Sequence, residues 1–173
     1  MVFSSLVFIF VYLVAVLAIY YISPLKVRNV FLLIINLIFY GWGEPIYVFL
    51  MLLSITVSYT FGLLVAKYRE DKKRARRYLT ASIVIHLSLL FFFKYFDFLI
   101  GNLALIPIFS GLKPIGLALP IGISFYTFQS MSYVIDVYRR DTEAQPNFAA
   151  FGTYVSLYPQ LIAGPIVRYK DIA

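Results

Sequence analysis

The chain has one imidazole, His86, set in the run Ser82-Ile83-Val84-Ile85-His86-Leu87-Ser88-Leu89-Leu90. A histidine that acts as a general base usually has a carboxylate to orient it. On its own helix His86 has Ser82 one turn away and no carboxylate within reach, so its expected role is structural: a neutral histidine packed between helices. No catalytic residue is assigned within the chain. A richer set lies between Leu119 and Arg140. At about 100° per residue, Tyr126, Gln129, Tyr133, Asp136 and Arg140 fall on one narrow helical stripe. Phenols, an amide and a carboxylate cannot comfortably face hydrocarbon, so this stripe should face other helices or a wet cavity. Interhelical packing and the lining of a substrate passage both fit the spacing.

A third set is Tyr158, Pro159, Gln160, Gly164 and Pro165, followed by Arg168. Two prolines and a glycine in an apolar run break a helix. At membrane depth a broken helix is tolerated only inside protein or beside a water-filled cavity. Freed carbonyls and the Gln160 amide are then suited to a pocket wall; a plain helix end near the interface is the alternative reading. Lys94 and Asp97, three residues apart, are expected to form an interfacial ion pair. There is no glycine-rich phosphate loop, paired carboxylate motif or nucleophile elbow.

These residues need a scaffold, and composition says which solvent surrounds it. Of 173 residues, 62% are hydrophobic and 13% charged, against roughly 45–50% and 25% in soluble domains. Charge-free stretches approach the ~20 residues that cross a bilayer as a helix. The fold class expected is an all-α integral membrane protein, a multi-span helical bundle with broken or re-entrant helices near the C-terminal end of the chain. It forms a single membrane domain over residues 1–173. Spans are expected at about 2–22, 29–43, 45–66, 78–93 and 114–135, with broken apolar segments at 98–112 and 148–167. The first stretch lacks the basic start and small-residue cleavage site of a signal peptide. Tyr40 and Trp42, beside the turn at Pro45, suit the headgroup level.

The absence of cysteine excludes disulfides and thiolate chemistry within the chain. With a single histidine, no metal site and no bound cofactor is expected. The net charge of +7 would suggest nucleic acid in a soluble protein, but here it reads as topology. Residues 67–77 hold seven basic and two acidic residues, and basic loops stay cytoplasmic. The N-terminus is then outside and the 67–77 loop inside. Membrane lipid is the expected partner, and nucleic acid is not.

Five stretches carry a further signal in their order: Met1 to Ser5; Phe39 to Pro45 (FYGWGEP); Phe93 to Phe98 (FKYFDF); Leu119 to Gln129 with Tyr133 to Arg139; and Tyr158 to Arg168 (YPQLIAGPIVR). The series resembles the membrane-bound O-acyltransferase family, in its bacterial alginate O-acetylation branch, over essentially the whole chain. The D-alanyl transfer protein of teichoic acid synthesis is a more distant likeness.

The resemblance implies a bacterial inner-membrane enzyme that passes an acyl group, usually acetyl, to hydroxyls of an exported polysaccharide. The donor would derive from acetyl-coenzyme A, and export or acetylation machinery would be the partner. Family members are much longer, and their catalytic histidine lies beyond the equivalent of Arg168. The chain is thus expected to be the N-terminal part of such an enzyme, inactive alone. The resemblance and the stripe together give Gln129, Tyr133, Asp136, Tyr158, Pro159, Gln160, Gly164, Pro165 and Arg168 as substrate-tunnel candidates. The alternative is a non-catalytic membrane module, transporter-like or a scaffold, complete at 173 residues; interrupted helices suit that too.

Overall fold

A computed structural model describes residues 6–106, 108, 111, 113–163 and 167–171. All regular elements among them are helical. A π-helical turn, Phe8–Tyr12, runs into α1, Leu13–Ile22. Pro24 starts α2, Leu25–Gly43. Arg28 reaches back to close α1, its Nε donating to Ser23 O at 3.0 Å and its Nη2 to Tyr21 O at 3.3 Å. A cation thus meets carbonyls left open at a helix end.

After the Glu44–Pro45 turn come α3, Tyr47–Lys67, and α4, Lys72–Leu103. Asp71 caps α4, its Oδ1 accepting from Arg74 N at 3.1 Å. Next are α5, Ile123–Arg139; α6, Phe148–Ser156; and α7, Tyr158–Ala163. Asn147 caps α6 by accepting from Ala150 N at 3.1 Å, and a 3-10 turn spans Tyr169–Asp171. Of these, α2, α3 and α4 are long and apolar enough to cross a membrane.

Some expected boundaries move. The span placed at 78–93 is the middle of α4, whose 32 residues extend about 48 Å. The basic residues Lys72 to Arg77 form its first turns instead of a loop, and the helix runs past Lys94 and Asp97 to Leu103. The broken segment placed at 98–112 therefore begins inside α4; Pro107 lies outside the described residues. The span placed at 114–135 starts late. Pro114 and Pro120 resist helix, and Gly116 and Gly122 adopt φ of +73° and +75°, so residues 113–120 stay irregular and only α5 is helical.

That irregular segment is held by long-range bonds. Asp97 accepts from Ile115 N at 2.8 Å and from Gly116 N at 2.9 Å, while Lys94 Nζ donates to Ser124 Oγ at 3.4 Å. The expected Lys94–Asp97 pair is not formed, because both side chains are spent across elements. Tyr47 Oη donates to Ala118 O at 2.8 Å and Tyr40 Oη to Ile121 O at 2.9 Å. Tyr40 is accordingly buried, whereas Trp42 is 70% exposed.

At the centre, α3 packs against α5 and α4, and α2 packs against α6. Met51, Ile55, Val65, Tyr133, Val134, Val137 and Phe151 form the core. Gly62 lets α3 approach the Tyr133 ring of α5. The outer surface is apolar, with Phe10, Phe49, Phe98 and Ile46 each about 70% exposed or more. Such a surface on helices of spanning length belongs in lipid. At one end the α3–α4 turn meets the α5–α6 connection through Arg69–Glu143 (2.9 Å) and Arg140–Glu70 (3.0 Å). The opposite end gathers Glu44, Asp97 and residues 115–122.

Candidate functional site

The stripe on α5 turns inward. Tyr126 and Tyr133 are fully buried, and Gln129 and Asp136 are 3% exposed. Arg140 does not continue it: the chain leaves the helix there with φ +67°, and its guanidinium reaches Glu70 instead. Gln129 Nε2 donates to Tyr154 O of α6 at 2.9 Å. Tyr133 Oη accepts from Gln145 N at 2.9 Å, and its ring lies 4.4 Å from that of Phe151 and 5.1 Å from that of Tyr169. Gln129 and Tyr133 therefore hold the α5–α6 connection and α6 against α5. Asp136 Oδ2 is buried with no hydrogen-bond partner among the described residues. The Tyr126 hydroxyl lies beside that of Tyr40 but outside hydrogen-bond geometry.

The segment from 148 onward is interrupted, for a local reason. Pro159 has no N–H to donate to Val155 O and its ring crowds that carbonyl, so α6 stops at Ser156, Leu157 adopts ψ +105°, and α7 starts afresh at Tyr158 with the proline in its first turn. The chain descends from the basic end to Leu161, where Gly122 of α5 leaves room for the leucine side chain: a Cβ at Gly122 would lie 2.8 Å from Leu161 Cγ. It is back beside α6 by Val167, whose carbonyl accepts from Tyr154 Oη at 2.8 Å. Tyr169 closes this return by accepting from Gln145 Nε2 at 2.6 Å.

Tyr158 sits at the turn of this excursion, its ring 4.9 Å from Phe39 and 5.4 Å from Phe8. Beside it is a small cavity of about 60 Å³ lined by Phe39, Tyr40, Gly43, Glu44, Ile121, Tyr158 and Leu161. Pro159 is exposed and Gln160 half-buried, with Gln160 Nε2 unpaired among the described residues. Arg168 is exposed. Gly164 and Pro165 lie outside the described residues.

The candidates thus divide into an α5 group facing α6 and a Tyr158–Gln160 group facing the end of α2. Tyr40, Glu44, Tyr154 and Tyr169 join them without having been taken as site residues. The first two lie in a quoted motif and were legible there; Tyr154 and Tyr169 carry no signal beyond being aromatic.

His86 is apart from both groups, fully buried between α3 and α4. Its Nδ1 lies 2.8 Å from Ser82 O, an acceptor only, so Nδ1 carries the proton. Nε2 then accepts from Ser58 Oγ at 3.0 Å. Both ring nitrogens are used within the protein, and no lone pair is left for a substrate. Among the described residues no group of three His, Cys, Asp or Glu could hold a metal.

Three comparisons bear on this arrangement. No protein-family model matches the chain, and no solved structure does. Curated proteins do. The chain is 41% identical over 175 residues to a probable alginate O-acetylase of Azotobacter vinelandii, covering 99% of this chain and 35% of that protein. It is 42% identical to one of Pseudomonas aeruginosa over 99% of this chain and 34% of the relative. A peptidoglycan O-acetyltransferase of Helicobacter pylori is 29% identical over 98% of this chain and 37% of its own length. The chain spans about a third of the length of the curated relatives it matches. The likeness read from its motifs thus extends from one end of this chain to the other: it is similar throughout to about a third of the length of probable alginate O-acetylases.

Proposed function

We propose that this chain forms part of the passage wall of a bacterial inner-membrane O-acetyltransferase that acetylates hydroxyls of an exported polysaccharide. In that reaction the acceptor oxygen forms a bond to the acetyl carbonyl carbon, the bond to the donor breaks, and a base takes the hydroxyl proton. The donor derives from acetyl-coenzyme A on the cytoplasmic side, and the acceptor is delivered by export machinery on the other. The end bearing residues 67–77 is cytoplasmic on this reading, and the end bearing Glu44 is external.

One observation carries the proposal. Motifs far apart in sequence converge on a single inner wall. Phe39 and Tyr40 meet Ile121 and Tyr158, Gly122 meets Leu161, and Gln129 holds the backbone of the interrupted segment. A wall of buried polar groups and interrupted helix at membrane depth is the construction a hydrophilic substrate requires. His86 is not the base in this proposal, because its nitrogens are engaged by Ser58 and Ser82. The chain supplies positioning and exclusion of lipid, and the base comes from a histidine elsewhere in the longer protein.

The test is acetyl transfer to polysaccharide by the longer protein in membranes. Gln129→Leu, which removes the brace on α6, is expected to cut turnover at unchanged expression, and replacement of the downstream histidine to abolish it. Full activity in both variants would overturn the proposal.

A further inference from the structure

Away from that wall, at the basic end, α3, α4 and α5 enclose a second cavity of about 420 Å³, lined by Val65, Arg69, Lys72, Ala75, Tyr138 and Arg140. Its size falls in the range of roughly 300–1,000 Å³ typical of small-molecule sites. Val65 and Ala75 are buried and make an apolar floor, while the three cations stand around it. The chain spends conformational energy here. Arg140 is the one non-glycine residue with positive φ among those described, at +67°, a region that costs an ordinary side chain and recurs at functional positions. This backbone brings the Arg140 guanidinium back toward the end of α3, where Nη2 donates to Arg69 O at 3.2 Å and to Glu70 Oε1 at 3.0 Å.

Arg69 Nε is buried and has no hydrogen-bond partner among the described residues, although the tip of the same side chain donates to Glu143 from Nη1 at 3.2 Å and from Nη2 at 2.9 Å. The carboxylates facing the site are Glu70 and Glu143, whose side chains are 84% and 81% exposed; Asp71 pairs with Arg74 instead. Ion pairs made by such exposed carboxylates contribute little and are readily exchanged for a stronger anion.

We propose that this cavity binds the phosphate of an anionic ligand, with Arg69, Lys72 and Arg140 as its recognition groups. Two guanidinium forks and an ammonium around one opening match the oxygens of a phosphate better than any neutral ligand. The position is the interfacial end of a bundle whose flanks are apolar, where a phospholipid headgroup and a soluble phosphate ester can both arrive. The site stands on its own geometry and holds whether or not the wall at Tyr158 serves acetyl transfer.

The experiment uses the chain purified in neutral detergent. Native mass spectrometry measures retention of phosphatidylglycerol against phosphatidylcholine, and calorimetry measures binding of inorganic pyrophosphate. Wild type is expected to prefer phosphatidylglycerol, pyrophosphate or both; the first arm identifies a lipid source, the second a soluble one. Arg140→Gly deletes one cation while placing at φ +67° the residue that tolerates it, so the fold is kept. Lys72→Gln changes an exposed side chain. Each is expected to weaken binding about tenfold, the effect of losing one charge-assisted contact. The double variant Lys73→Gln/Arg77→Gln removes two charges from a different face of α4, since neither lines the cavity, and is expected to leave binding within about twofold of wild type, a loss smaller than any single charge-assisted contact. The proposal is overturned if neither probe binds above phosphatidylcholine. It is also overturned if the far-face variant loses as much as the cavity variants.

Discussion

The tightest glycine position in the bundle gives the most demanding prediction. A Cβ added at Gly62 would stand 2.6 Å from Tyr133 Cε1, 2.9 Å from its Oη and 3.0 Å from its Cζ. Carbon atoms rest at about 3.5–4.0 Å, so the ring would have to retreat by about 1 Å. It cannot do so freely. Phe151 lies 4.4 Å behind it and Tyr169 5.1 Å to its side, and its Oη is tied to Gln145 N. Overpacking of this kind costs about 1–3 kcal/mol, against a gain of up to ~1 kcal/mol from replacing a helical glycine by alanine. Gly62→Ala should therefore destabilise by about 1–2 kcal/mol, lowering the midpoint of thermal unfolding in detergent by a few degrees. Gly101→Ala in α4 is the control, because nothing lies within 4 Å of its Cβ; it should be neutral or stabilising. Combining Gly62→Ala with Tyr133→Leu should show a coupling of at least ~1 kcal/mol, since the larger ring causes the clash. If Gly62→Ala proves as stable as Gly101→Ala, the α3–α5 contact is not the constraint argued here.

Other outcomes follow from the same geometry. Asp97→Ala frees the Ile115 and Gly116 amides, so hydrogen exchange at those two positions should accelerate while α5 stays protected. His86→Ala leaves Ser58 Oγ and Ser82 O without their partner and opens a hole between α3 and α4. It should destabilise by about 2–4 kcal/mol, yet per folded molecule the longer protein should keep its acetyl transfer; loss of turnover at full folding would restore His86 as a catalyst. Because the chain has no cysteine, single-cysteine variants read topology directly. Cysteine at Arg76 should react with impermeant reagent only from the cytoplasmic side and cysteine at Gly43 only from outside; the opposite pattern would invert the orientation.

How far the sequence carried depends on the range of each interaction. The inward stripe was legible because helical period alone puts Tyr126, Gln129, Tyr133 and Asp136 on one face, and hydrocarbon admits such a face only inward. The break in the segment from 148 onward was legible because Pro159 acts within one helical turn. Boundaries failed where charge was taken as an end. Lys94 and Asp97 sit within α4 because Asp97 has partners at Ile115 and Gly116, 18 and 19 residues away, which no local pattern reveals. The stretch 114–135 failed in the opposite sense: it is apolar enough to span, but Pro114, Pro120 and the positive-φ Gly116 and Gly122 keep its first residues out of the helix.

Arg140 makes the same point for function. On paper it extends a helical stripe, one more polar residue at the right angle. In the fold the helix has ended, and the side chain is carried to the other side of a turn by a backbone conformation that arginine adopts only under constraint. Its partners, Arg69 and Glu70, are 71 and 70 residues away, and the cavity they share with Lys72 exists only because α3, α4 and α5 end or begin at one level. Hydropathy requires these charges to be at that level and nothing more, since a topology signal is satisfied by exposed lysines on a flexible loop. A strained arginine beside a second arginine whose buried Nε has no partner among the described residues asks for something further. Arg140→Gly separates the two demands: it leaves six basic residues in positions 72–77 and at Arg139 to hold orientation, so labelling at Arg76 should be unchanged while anion binding falls.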